Sequence, residues 1–326
     1  MRSGKRRTNT GSKDRVSSID HRNAHKILLI GGPTAAGKSR IALELAQEIP
    51  CEMINADSRQ IYKNLSIGTS QPDPQEIKQF PHHLYGFLDP TEVFTAADYE
   101  RLASKVIIEI ISRGRLPVLV GGTGFYMKAA LRGVWPVAAR DDRLRTRLRK
   151  IHSRHHGQFL HNMLMRFDPL SAASIAPPDT YRIIRALEIL FQTGVRRSEL
   201  PRNQEERYQA LKYYASPGKE TLHQNIVKRT EKMFEQGWLD EVKLLIARYP
   251  HFEELPAAKS LGYQEILRFL HGENSLLECK EAVITKTKQY AKRQLTWFRN
   301  QDQFQPIPSA VPFHKMIESV LQWYRN

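Results

Sequence analysis

Eight consecutive residues, Gly32-Pro33-Thr34-Ala35-Ala36-Gly37-Lys38-Ser39, carry the spacing G-x-x-x-x-G-K-[ST]. Glycines placed this way let successive backbone N–H groups turn toward one point, where phosphate oxygens can be held. The N-terminus of the following helix adds the positive end of its dipole. Lys38 supplies a cation for the outer phosphates, and the Ser39 hydroxyl can ligate Mg²⁺. The expected chemistry is binding of a substrate that carries a di- or triphosphate.

Two further groups belong beside this loop if the fold is an open α/β sheet, because ligands there bind at the carboxyl ends of the strands. Asp57 follows the apolar run Cys51 to Ala56, and Thr123 follows the apolar run Leu116 to Val120. Asp57 can accept a proton from an attacking group or ligate Mg²⁺; capping a turn is the plainer role of an Asp at such a place. The run Leu116 to Val120 ends in Gly121-Gly122-Thr123 and not in an acid. The Mg²⁺-holding Asp of many P-loop NTPases is therefore missing, which favours group transfer over an ATP-driven motor.

The elements that must position these groups are legible in outline. Lys26 to Ile30 is a short apolar strand followed at once by two glycines. A helix from Lys38 to about Ile49 carries Ile41, Leu45 and Ile49 at helical spacing. Cys51 to Ala56 reads as a second strand, and a loop rich in Pro and His runs to about Pro90. Thr95-Ala-Ala-Asp98 resembles a capping box for a helix with Leu102, Val106, Ile107 and Ile110 inward, closed by Gly114. Leu116 to Val120 is the third strand. This order predicts the α/β class, a P-loop core with a parallel sheet flanked by helices. After Tyr126 the texture turns helical. Residues 140–200 are Arg-rich with a break at Pro177-Pro178, helices continue from Leu222 to Leu270, and Ile284 to Arg299 is a basic helix.

Charge narrows the partners. Fifty Lys and Arg oppose 34 Asp and Glu, a formal +16, and such a field attracts polyanions, nucleic acid first among them. Residues 140–166 hold eight Arg or Lys against two acids, and residues 286–299 hold Lys286, Lys288, Lys292, Arg293 and Arg299 with no acid. Solvated helix faces would explain any one of these charges. Two cysteines, Cys51 and Cys279, cannot build a disulfide scaffold or a Cys-rich zinc site. His82-His83 and His152, His155 and His156 lack a second ligand cluster, so no metal is expected on them. No apolar run is long enough to span a membrane. No apolar core follows the basic start, and Asp14 and Asp20 weigh against a transit peptide, so a cytoplasmic protein is expected.

The order of motifs resembles the tRNA dimethylallyltransferase (tRNA isopentenyltransferase) family, bacterial type. The likeness is carried by the P-loop form, Asp57-Ser-Arg-Gln-Ile-Tyr62, Ile67-Gly-Thr-Ser70, Pro81-His-His-Leu84, Asp89-Pro90 and Leu119-Val-Gly-Gly-Thr123. Later come Tyr181-Arg-Ile-Ile-Arg-Ala-Leu-Glu188, Lys259-Ser-Leu-Gly-Tyr-Gln264 and Tyr290-Ala-Lys-Arg-Gln-Leu-Thr-Trp-Phe-Arg299. It covers roughly residues 27–305. The resemblance implies transfer of a dimethylallyl group from dimethylallyl diphosphate to N6 of adenosine 37 of tRNA, with Mg²⁺ as cofactor. The partner would be the tRNA anticodon stem-loop and the enzyme a monomer. It implies a P-loop core with an inserted helical domain: core over 26–135, tRNA-binding insertion over 136–205, and core with basic C-terminal helices over 206–326. Residues 1–25, polar, basic and without periodicity, read as a disordered tail outside the family's pattern.

The resemblance also assigns residues. Asp57 would be the general base, Thr123 would contact the reaction centre or the target nucleotide, and both match tRNA-contact positions. Lys38 and Arg229, the latter in a helix from Leu222 to Phe234, serve the diphosphate. Ser58, Arg59 and Gln60 are candidate contacts of the target nucleobase. Arg145, Tyr181-Arg182-Ile183-Ile184-Arg185 and Lys259-Ser260-Leu261-Gly262-Tyr263-Gln264 match tRNA-contact positions. A zinc finger such as eukaryotic relatives add is not expected, for want of cysteines. Three readings rival this one: a transferase acting on free AMP, ADP or ATP, a P-loop small-molecule kinase, and a non-catalytic RNA-binding protein. The first would have less use for the basic helices; the second predicts γ-phosphate transfer from ATP.

Overall fold

Lys26–Gly31 forms strand β1, and all but its first residue is buried. A strand apolar on both faces belongs in the middle of a sheet covered by helices on either side. The structure, a computed structural model, describes residues 25–135, 140–155, 158–201, 205–301, 303–308 and 313–325. The basic tail, His25 excepted, and His156 lie outside the described residues.

Helix α1 (Lys38–Glu48) follows the phosphate loop, and β2 (Cys51–Asn55) returns beneath it. The stretch read as a loop up to Pro90 is in fact organised. It holds the short helices α2 (Ser66–Thr69) and α3 (Pro74–Gln79) and a two-residue edge strand, β3 (His82–His83). α3 is set by Asp73 and Glu76, a full capping box with Pro at its first position. α4 (Ala96–Ser112) opens on the Thr95–Asp98 box expected from the sequence, and Gly114 follows its end at φ +69°. β4 (Leu116–Val120) and α5 (Gly124–Arg132) complete the first half.

Four helices then pack around a cluster of their own. They are α6 (Asp142–Arg154), α7 (Phe159–Phe167), α8 (Pro169–Ser174) and α9 (Thr180–Thr193), and Leu148, Leu160, Leu164, Ile184 and Leu187 fill the space between them. The chain returns to the sheet as β5 (Gln209–Ser216) and continues through α10 (Lys219–Glu235), α11 (Trp238–Arg248), α12 (Tyr263–Leu270) and α13 (Leu276–Arg299). β6 (Gln305–Pro308) and α14 (Phe313–Arg325) end it.

The sheet has six strands in the order β3-β2-β4-β1-β5-β6, every pair parallel. β1 lies between β4 and β5, so the phosphate loop leaves from the centre of the sheet. The residues alone predict no strand after Val120, and β5 and β6 correct that expectation. β5 hides a lysine: Lys212 is buried, and its ammonium donates to both carboxylate oxygens of Glu206 at 2.7 Å.

α13 locks the sheet to the helices on one face. Its side chains occupy space that three glycines leave empty. A Cβ on Gly31 would lie 2.2 Å from the Phe298 ring, one on Gly122 2.0 Å from Gln294 Nε2, and one on Gly124 2.0 Å from Trp297. Gln294, Trp297 and Phe298 stand at i, i+3 and i+4, one face of the helix. The basic helix read from the sequence is thus a structural column as well as a charged one.

Candidate active site

The phosphate loop has the form its spacing requires. Gly32 and Gly37 sit at φ +131° and +83°, and Ala35 at +62°. Lys38 caps the loop from inside, Nζ donating to the Pro33 carbonyl at 2.8 Å. A cavity of about 390 Å³ opens over this loop. Asp57 and Arg59 from the end of β2, Arg229 and Met233 from α10, and Tyr290 from α13 complete its wall. It adjoins a second space of about 780 Å³, and the two share Ser39, Ser70, Tyr85, Val120, Arg229 and Met233.

Asp57 is held by its neighbours at both backbone ends. Asn55, fully buried at the end of β2, accepts the Asp57 N–H at 2.8 Å and donates to the Asp57 carbonyl at 3.0 Å and to the Leu84 carbonyl at 2.9 Å. Leu84 sits at φ +62°, a conformation that costs a branched residue roughly 1–2 kcal/mol. Asn55 ties this strained turn to the base of the site. Asp57 Oδ1 accepts the Arg59 N–H at 2.9 Å, which leaves Oδ2 turned toward Gly122. Thr123 Oγ1 accepts the Ser58 N–H at 3.0 Å and donates to Ser58 Oγ at 3.2 Å. The two strand ends that were expected to meet do meet, and Thr123 fixes the loop that carries Asp57.

The two cations are half-buried. Burial pushes the Lys38 ammonium down to about 8; the nearby Arg229 adds to the shift and Asp57 opposes it. Burial also lowers Arg229, again with Asp57 opposing. A cavity that gathers two partly desolvated cations and one carboxylate is short of negative charge until an anion enters. In the free protein Lys38 loses its proton as pH rises through about 8. A bound diphosphate stabilises the charged form and raises that value, so above pH 8 binding must take up a proton. Affinity for the donor is expected to be flat from pH 7 to 8 and to weaken by up to about tenfold per unit above it. Calorimetric titration of dimethylallyl diphosphate without tRNA checks this, and an affinity unchanged between pH 7.5 and 9.5 contradicts it.

The residues matched to tRNA contacts divide into three groups. Arg59 and Gln60 line the cavity while Ser58, tied to Thr123, does not; Gln60 is engaged, its Nε2 donating to the carbonyls of Thr69 at 3.0 Å and Ser70 at 2.6 Å. Tyr181, Arg182 and Lys259 are exposed away from it. The side chains of the rest are mostly turned inward. Ile183 and Ile184 are core residues of the helical unit. Ser260, Gly262 and Tyr263 are buried, and Gln264 donates to the Glu253 and Ala258 carbonyls. Of that segment Leu261 alone reaches the cavity.

Arg145 also points inward. Its Nε and Nη2 donate to Glu188 at 2.7 and 2.8 Å, and it lies over the Tyr181 ring. Arg185 pairs with the same carboxylate. Burial pushes the Glu188 carboxyl up, but hydrogen bonds from Arg145, Arg185 and the Asp141 N–H outweigh it and hold it at about 2. Arg145 falls on the apolar stripe with Leu148, three residues on. Its neighbours Arg143, Arg147, Lys150 and Arg154 occupy the opposite, exposed stripe. Asn55 and Gln294 received no role from the sequence; a buried amide at the end of an apolar strand was the signal available for the first.

Known proteins resemble this chain in sequence and fold. The family described as IPP transferase matches residues 60–301. A tRNA dimethylallyltransferase of Geobacter sulfurreducens is 43% identical over 303 residues, 92% of this chain and 97% of its own length. One from Petrotoga mobilis is 40% identical over 278 residues, 84% and 91% of the two chains. The full-length tRNA isopentenylpyrophosphate transferase from Bacillus halodurans superposes with a TM-score of 0.69 at 35% identity, over 92% of this chain and 96% of that one. A eukaryotic dimethylallyltransferase acting on tRNA gives 0.73 at 30% identity, over 84% and 70%.

Proposed function

The chain belongs to the IPP transferase family, and from that membership we propose how its cavity works. The protein transfers a dimethylallyl group from dimethylallyl diphosphate to N6 of adenosine 37 in tRNA. The N6–C1 bond forms, the C1–O bond to diphosphate breaks, and one proton leaves N6. The observation that carries the mechanism is that Asp57, Lys38 and Arg229 face one cavity above the phosphate loop.

An exocyclic adenine amine is a weak nucleophile, and Asp57 Oδ2, aimed toward Gly122, accepts its proton as the bond forms. The departing diphosphate gains charge. The N–H groups of the loop, Lys38 and Arg229 are already placed to receive it and need no reorganisation. Thr123 and Asn55 keep the Asp57 loop in register. The Ser39 hydroxyl, at the cavity edge, and the oxygens of the donor are hard ligands of the kind Mg²⁺ prefers, and Mg²⁺ usually takes few protein ligands when phosphates are present. Bound there, Mg²⁺ would neutralise charge on the diphosphate.

The target base must leave its stack to reach Asp57. Tyr85 and Tyr290 line the cavity and offer aromatic faces for it. The exposed stripe Arg143, Arg147, Lys150 and Arg154 suits the phosphates of the anticodon stem. On this reading the enzyme acts as a monomer. A tRNA substrate fits a cytoplasmic site of action, and among the described residues no helix is long and apolar enough to cross a membrane.

Labelled dimethylallyl diphosphate offered to tRNA and AMP together tests the reading. Label is expected in tRNA; label in AMP with none in tRNA would replace it with the adenylate-transferase reading.

A further inference from the structure

We infer that Gln294 is a positioning residue for the transfer, clamping the phosphate loop to the strand end that faces Asp57. The inference rests on the mechanism above. Gln294 is buried on α13. Its Oε1 accepts the Thr34 N–H at 2.9 Å, and its Nε2 donates to the Gly122 carbonyl at 2.9 Å. One amide thus spans the two loops that hold opposite halves of the reaction. Thr34 belongs to the loop that cradles the leaving diphosphate. Gly122 precedes Thr123, and a Cβ on it would lie 3.4 Å from Asp57 Oδ2.

The geometry leaves little slack. Gly122 must lack a side chain, because a Cβ there would be 2.0 Å from Gln294 Nε2. Trp297 and Phe298, on the same face of α13, seat against Gly124 and Gly31 and fix the height of the helix over the sheet. Of these three side chains, Gln294 is the one whose polar atoms reach both loops. It also occupies the Thr34 amide, so that amide does not serve the phosphate, and the cradle is made by the residues after it. A reacting pair displaced by about 1 Å can lose on the order of 10²-fold in rate. A clamp that sets the spacing between leaving group and base acts on that quantity, and on binding of either substrate very little.

Gln294→Met keeps the length and removes both hydrogen bonds. The expected result is a kcat lowered by about 10- to 100-fold, with KM for donor and tRNA within about threefold of wild type. Gln294→Glu keeps the acceptor for Thr34 but sets a carboxylate against the Gly122 carbonyl, and should be at least as slow. A kcat within twofold of wild type, or a loss seen wholly in KM, would overturn the inference. So would a kcat that returns to wild type when corrected for folded protein.

If the variants fail to fold, amide hydrogen exchange on the wild-type protein decides. The Thr34 N–H should be protected without ligand and unchanged by diphosphate, while amides of Ala36 to Ser39 gain protection from it. Rapid exchange at Thr34 in the free protein would remove the clamp. Transfer by the wild type separates the two ideas: no transfer to tRNA defeats the mechanism itself, whereas normal transfer with a fast Gln294→Met defeats the clamp alone.

Discussion

Asp57→Asn should lower kcat by roughly 10²- to 10⁴-fold, the range that a positioned general base contributes, with tRNA affinity within a few-fold of wild type. Asn is the informative substitution because Asp57 has two tasks. Its Oδ1 accepts the Arg59 N–H, and an amide oxygen can do the same, so the loop keeps its shape. The oxygen facing Gly122 becomes an NH₂ that cannot take a proton. Asp57→Ala would remove both tasks and confuse them. Single-turnover rates at saturating donor, paired with filter binding of tRNA, separate chemistry from recognition. A rate within threefold of wild type would remove Asp57 from the chemistry and leave it as a turn-former.

The next largest effect is expected at the cations. Lys38→Met and Arg229→Met should each lower kcat by about 10²- to 10³-fold, as the removal of one preorganised donor from a developing charge does. Both should also weaken donor binding, because each removes positive charge from a cavity whose cations burial has already left poorly solvated. The two are coupled. Removing Arg229 relieves the repulsion that helps hold Lys38 near 8, so the downturn in donor affinity with pH should move upward in Arg229→Met. In Lys38→Met the downturn should vanish. Steady-state kinetics and calorimetry across pH 7 to 9.5 measure both. An Arg229→Met with unchanged kcat would leave that side chain as a wall of the cavity and nothing more.

How much of this was legible in the residues follows from physics more than from luck. β1, β2 and β4 are buried on both faces, so they appear as unbroken apolar runs. The phosphate loop and the Thr95 box are local motifs that need no tertiary context. Strand-end logic then placed Asp57 and Thr123 together. β5 was missed because a buried ion pair, Lys212 with Glu206, put a charge in the middle of a strand. β6 was missed because Pro306 and Pro308 read as a loop, yet an edge strand tolerates proline on its unpaired side.

The site shows the same divide. Arg229 came from family resemblance, since nothing in its helix marks it off from other arginines. Arg145 poses the opposite difficulty: it stands in a run of arginines, and only its register with Leu148 shows that it turns inward to Glu188. Gln294 could not be found locally at all. Its partners lie 260 and 172 residues away, and a glutamine in a basic helix gives no sign of them.

The most direct test of the whole account is nucleoside mass spectrometry of a tRNA bearing adenosine at position 37. The tRNA is incubated with dimethylallyl diphosphate and either the wild-type protein or Asp57→Asn. The account predicts N6-dimethylallyladenosine at position 37 with the wild type and, in the same time, almost none with Asp57→Asn. Unmodified adenosine 37 with active wild-type protein, or equal product from the two, would contradict it.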